Sequence, residues 1–209
     1  MTEVIKRKGR QIFWVYLSII GVMWLVFLFN NVALSGILNT MAGINPREFS
    51  LWEMLPLALS WAFHANYQHL LGNTMCLLGL LFILCILEPH SPLTLCALIV
   101  TSALATWLLG QAHTSHIGAS GLIFAIFGYI ITNAIYHRKW HYILASLIFV
   151  GVYYRIFVYG LIPQSGVSFA AHFGGFIAGI LDALVLHRFY SSGFFNTSNQ
   201  KSAVKKFPK

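Results

Sequence analysis

The feature that most constrains this chain is residues 12–29, a run of eighteen without one charged side chain. A helix of that length and character can cross the hydrocarbon core of a bilayer, where every backbone N–H and C=O must be paired inside its own segment. Five more apolar runs follow, at residues 66–87, 93–109, 118–136, 142–160 and 167–186. Hydrophobic residues make up 58% of the chain and charged ones 9%, whereas a soluble domain carries about 25% charged residues. Six spans of roughly 20 residues use about 120 positions, so no separate soluble domain fits within 209. The expected fold is all-α, a polytopic bundle of six transmembrane helices with the lipid bilayer as its solvent. A soluble enzyme, a disordered chain and a nucleic-acid partner are all disfavoured.

The net charge of +8 is explained by where the basic residues fall. Lys6, Arg7, Lys8 and Arg10 precede the first run, Arg138 and Lys139 sit in a short break, and Arg188, Lys201, Lys205, Lys206 and Lys209 follow the last. Those eleven of the thirteen Lys and Arg residues lie on one side if both termini are cytoplasmic, as the positive-inside rule requires of an even number of spans. Trp14, Tyr16, Tyr136, Trp140 and Tyr190 would mark that same boundary. The first run exceeds the roughly 7 to 15 residues of a signal-peptide core, and removing it would leave an odd number of spans. The expected organisation is therefore a cytoplasmic segment at 1–11, a membrane domain at 12–190 and a basic cytoplasmic tail at 191–209. Between the first two spans, the stretch 49–63 is apolar but interrupted by Glu53 and Pro56. A half-inserted or interfacial segment is expected there rather than a seventh span.

Polar side chains inside spans are costly and are candidates for function. His69 and Asn73 in the second span, Ser120 in the fourth and His172 in the sixth all fall two to seven residues from the outer start of their helices. At 1.5 Å per residue they share a depth of roughly 3 to 11 Å. His69 and Asn73, four apart, lie on one helix face. His64 precedes that helix and reads as a loop or capping group. His113 and His116 read as solvated loop histidines. Asp182 lies deeper, near the cytoplasmic end, as a snorkelling or paired residue, and Cys76, Cys85 and Cys96 read as small apolar fillers.

Ser120 stands in Gly118-Ala119-Ser120-Gly121, at the start of a helix whose unpaired N–H groups and dipole would receive an oxyanion. Gly175 and Gly179 after His172 form a small-residue face, matched by Gly121, Ala125 and Gly128 on the fourth span, so these two helices can approach closely. The counts narrow the chemistry. A pair of aspartates is missing, since Asp182 is alone, and no glutamate follows a histidine as a His-Glu-x-x-His zinc site requires. A serine and histidine without a carboxylate partner remain, with no metal or cofactor implied. A histidine proton relay in a transporter would call for paired acids at midplane and internal repeats, and neither is seen.

At these residues the sequence resembles the rhomboid family of intramembrane serine proteases. The likeness covers His64-Ala65-Asn66-x-x-His69-x-x-x-Asn73, the Gly118–Gly121 motif and Ala171-His172-Phe173-Gly174-Gly175-x-x-x-Gly179, in that order. It implies a rhomboid-like six-helix bundle with Ser120 and His172 as a catalytic dyad, and with His69, Asn73 and the Ser120 N–H in the oxyanion hole. Gly118, Gly121, Phe124, Gly175 and Gly179 would support them. It further implies transmembrane protein substrates, reaching the site past the fifth span, and residence in a bacterial inner membrane. A catalytically silent relative that binds membrane clients is the alternative. Trp52 is followed by Glu53 where relatives often have Trp-Arg, and Phe124 stands where they often have tyrosine, able to stack on His172 but not to donate a hydrogen bond.

Overall fold

The computed structural model describes residues 2–46, 54–137, 140–163 and 167–191. The protein is an all-α, multi-span membrane protein. Its first helix is longer than the first apolar run, and is continuous from Thr2 to Ala33: α1 (Thr2–Tyr16), a π-helical segment (Leu17–Gly21), α2 (Val22–Leu28) and a second π segment (Phe29–Ala33). The 31 residues from Glu3 to Ala33 would extend roughly 46 Å at 1.5 Å each, well over a ~30 Å hydrocarbon core. The basic residues from Lys6 to Arg10 lie in this same helix, beyond its apolar part.

Short elements follow: α3 (Leu38–Met41), then α4 (Met54–Leu59) running into a 3-10 turn (Ser60–Ala62). These described parts of the first loop are too short to cross a bilayer, as the interruptions in that stretch suggested; Arg47, Trp52 and Glu53 lie outside the described residues. The remaining spans are α5 (Tyr67–Leu87), α6 (Ser91–Leu109), α7 (Ser120–His137), α8 (Trp140–Gly160) and α9 (Phe169–Ser191). They match the predicted second to sixth spans to within a few residues, except that α9 runs five residues past its predicted end, to Ser191. The tail beyond it lies outside the described residues, as do Arg138 and Lys139.

Among these, α7 is the central helix. It is apolar all round, which suits a helix enclosed by others over most of its length, and Gly121 to Ile130 are all buried. At 18 residues it is shorter than its neighbours. Around it, α5, α6, α8 and α9 turn inward residues such as Leu77, Leu80, Leu98 and Phe149 to a common core. Their outer faces carry Val100, Leu147, Val152 and Leu181 exposed, an apolar belt that only lipid can cover. Asp182 is paired rather than snorkelling, the second of the two expected alternatives. It is buried, and its carboxylate accepts from Thr101 Oγ1 at 2.6 Å, joining α9 to α6.

Candidate active site

Each functional side chain stands at the first turns of a helix, and each helix start has its own local cause. Asn66 is extended (φ −156°, ψ 171°) and its side chain accepts from the His69 N–H at 2.9 Å, an N-cap that begins α5 at Tyr67. His69 thus falls in the first turn, with Asn73 one turn on along the same face. At α9 the cap is Ser168, whose Oγ accepts from Ala171 N–H at 3.1 Å and whose carbonyl accepts from His172 N–H at 3.1 Å. At α7 the turn is made by Gly118, with φ +115° and its N–H donated to the Ser60 carbonyl at 3.0 Å. A Cβ there would lie 2.6 Å from His69 Cε1, so glycine is required both for conformation and for the approach of His69. The helical ladder of α7 starts with Ile123 N–H to the Ala119 carbonyl at 2.9 Å. The N–H groups ahead of it, including that of Ser120, project from the helix end.

What brings α7 and α9 together is the absence of side chains. A Cβ on Gly175 would overlap the Gly121 carbonyl oxygen, one on Gly179 the Ala125 carbonyl oxygen, and one on Gly128 the Phe176 carbonyl oxygen. The two predicted small-residue faces are thus in backbone contact over about two turns of α7. This contact sets His172 beside Phe124, which lies one turn beyond Ser120. The two rings stack with centroids 4.4 Å apart and planes 10° from parallel.

His172 is buried, and its Nδ1 lies 2.8 Å from the Gly160 carbonyl at the end of α8. A carbonyl only accepts, so Nδ1 carries the proton and Nε2 keeps its lone pair. Gly160 was not singled out in the sequence, where it marks only a span boundary. A Cβ there would come within 2.5 Å of Phe124 Cζ and 3.0 Å of His172 Nδ1, so the residue must be glycine for the ring to reach that carbonyl.

His64 is the second residue whose part is larger than the sequence suggested. It does precede the helix, but its ring is 1% exposed and meets His69 edge to face at 5.0 Å. Asn73 Nδ2 donates to His64 Nε2 at 2.9 Å, which leaves Nδ1–H directed at the Ala62 carbonyl, 3.3 Å away. The ring is therefore neutral. Burial pushes its pKa down to about 4, helped by the neighbouring His69 and opposed by the Ala62 carbonyl. The His64 backbone is held in turn: its carbonyl accepts from Asn39 Nδ2 at 3.3 Å, and Asn39 Oδ1 accepts from Asn30 Nδ2 at 2.9 Å at the end of the first helix.

Ser120, His172, His69 and Asn73 line one cavity of about 700 Å³, with Phe124 and Cys76 on its wall. Three separate helices thus bring the four sequence candidates to a common space. His113 is exposed, with φ +64°, and belongs to the loop. His116 is not solvated as expected but half-buried and bonded on both ring nitrogens. Among the described residues no group of three or more His, Cys, Asp or Glu side chains is arranged to hold a metal ion.

The cavity is lined by serine, histidine and asparagine side chains from the first turns of α5, α7 and α9. The Rhomboid domain matches residues 49–189, and the chain belongs to the rhomboid family. Uncharacterized proteins of Mycobacterium bovis and Mycobacterium tuberculosis are each 33% identical over 181 residues, covering 81% of this chain and 73% of theirs. An uncharacterized protein of Mycobacterium leprae is 32% identical over 134 residues, covering 59% of this chain and 52% of its own.

Proposed function

We propose that this protein is an intramembrane serine endopeptidase that cuts transmembrane or juxtamembrane segments of membrane proteins with a Ser120–His172 dyad. The observation that carries the proposal is the state of His172. Its ring lies on Phe124 one turn from Ser120, and its Nδ1–H is spent on the Gly160 carbonyl. The remaining Nε2 lone pair is then available on the wall of the cavity that Ser120 shares.

In this mechanism Ser120 Oγ attacks the scissile carbonyl while His172 Nε2 takes its proton. The developing oxyanion is received by the Ser120 N–H and by the side chains of His69 and Asn73. Collapse of the tetrahedral intermediate breaks the C–N bond, and Nε2 returns the proton to the leaving amine. Water, deprotonated by the same nitrogen, then releases the acyl group and restores the serine. Gly160 supplies a neutral dipole where a triad has a carboxylate, so the imidazolium is less stabilised and turnover is slow. The substrates are membrane-spanning proteins that reach the cavity through the bilayer. By the distribution of basic residues both termini face the cytoplasm, flanking the membrane domain, and a bacterial inner membrane suits such an enzyme.

The test is cleavage of a single-span reporter in detergent. Wild type should cut it, and Ser120→Ala and His172→Ala should not. Equal cleavage by wild type and Ser120→Ala would reject the proposal, and no cleavage by folded wild type would favour a silent client-binding protein.

A further inference from the structure

His116 lies four residues before Ser120, in the loop joining α6 to α7, and is fixed through both backbone and ring. Its N–H and C=O pair with the C=O and N–H of Ile44 at 3.0 Å each, an isolated antiparallel bridge to the first loop. Nε2 is 2.8 Å from Thr114 Oγ1, and Nδ1 is 2.8 Å from Ser168 Oγ, across the cavity mouth at the start of α9. The direction of each bond follows from its neighbours. Thr114 donates its one hydroxyl proton to the Gln111 carbonyl at 2.6 Å, so it must accept from His116 Nε2–H. Burial lowers the His116 pKa and keeps the ring neutral, so Nδ1 is bare and accepts the Ser168 hydroxyl proton, while Ser168 Oγ accepts from Ala171 N–H. One neutral imidazole therefore joins the loop that leads into Ser120 to the cap of the helix that carries His172.

The geometry points to His116 as a positioning residue for the Ser120–His172 pair, acting through Ser168 to set the axial register of α9 against α7. This inference rests on the dyad reading above. The physical need is specific. Faces of glycine and alanine let α7 and α9 touch backbone to backbone, with few long side chains there to interlock along the helix axes. The Gly160 bond and the Phe124 stack fix the plane of the His172 ring, not the height of its backbone. A tie at the shared end of the two helices supplies that missing constraint, and an error of about 1 Å between reacting groups costs on the order of 10²-fold in rate.

The test compares full-length His116→Leu, His116→Asn, Ser168→Ala and the double variant His116→Leu/Ser168→Ala, with Ser120→Ala as control. Each is assayed on a single-span reporter for kcat and KM, per folded enzyme. We expect His116→Leu to lower kcat by about 10- to 100-fold with KM unchanged within about twofold. His116→Asn, whose Oδ1 can accept from Ser168 as Nδ1 does, should recover most of that loss. Ser168→Ala should match His116→Leu, and the double variant should be no worse than either single one. Unchanged kcat in His116→Leu, or losses that multiply in the double variant, would overturn the inference while Ser120→Ala remains inactive. If His116→Leu does not fold, His116→Ala takes its place, since Ser168→Ala also removes the α9 cap: a fall in kcat at constant KM supports the tie, and an unchanged kcat overturns it. Full cleavage by Ser120→Ala would instead remove the dyad reading on which the inference stands.

Discussion

A histidine can act as a base only if one nitrogen is free, and in the proposed base, His172, the bond made by Nδ1 leaves that part to Nε2. The Gly160 carbonyl holds Nδ1–H at 2.8 Å, so replacing Gly160 by alanine should displace either that ring or Phe124 and reduce cleavage even though no reacting group is removed. Asn73→Ala should lower kcat by about 10²- to 10³-fold, the usual cost of one oxyanion donor, as measured on the same reporter. His64 stands behind Asn73 and predicts a dependence on pH. The unfolded chain protonates this residue below its ordinary value of 6.5, and the folded chain only below about 4. Its contribution to stability is thus complete above pH 6.5 and is lost as pH falls from 6.5 towards 4. Thermal unfolding in detergent should show that decline, and His64→Gln should flatten it; an equal slope in the two proteins would contradict the assignment. His69, Asn73, Ser120 and His172 were legible in the sequence because polar groups in apolar runs stand out and a spacing of four marks one face. The parts of His64, Gly160 and His116 were not, since a loop ring or a helix-end carbonyl gives no sign of which distant group it will meet.

The helices themselves were readable for a related reason. Without water to satisfy the backbone, an apolar run of about twenty residues has one outcome, and its limits are set by prolines, charges and caps. The register between helices was also partly legible, because Gly121, Ala125 and Gly128 face Gly175 and Gly179 at matching spacings. What the apolar pattern concealed was the extra length of the first helix, where charged residues continue a helix that hydropathy alone ends at residue 12. Glycine substitutions separate packing from propensity. Gly179→Ala would drive a methyl into the Ala125 carbonyl oxygen, backbone that cannot yield locally. A loss of about 1 to 3 kcal/mol, typical of overpacking, should accompany reduced cleavage. Gly151 in α8 has nothing within 4 Å of where its Cβ would stand, so Gly151→Ala should leave cleavage intact and stabilise by up to about 1 kcal/mol. Unfolding midpoints of the two variants against wild type check both signs.

In the molecule as a whole, an apolar belt surrounds a polar chamber that opens at the end where α5, α7 and α9 begin. The proposed topology places both termini on the opposite, cytoplasmic side, and reporter fusions to each terminus should therefore give the same cytoplasmic signal. Opposite signals would require an odd number of spans. The central claim is that Ser120 is a nucleophile made reactive by His172. Reaction of the folded protein with a fluorophosphonate probe, followed by peptide mass spectrometry, tests it most directly. The account predicts one adduct, on Ser120, that disappears in His172→Ala while the fold persists. No adduct on folded wild type, or one at a different serine, would contradict it.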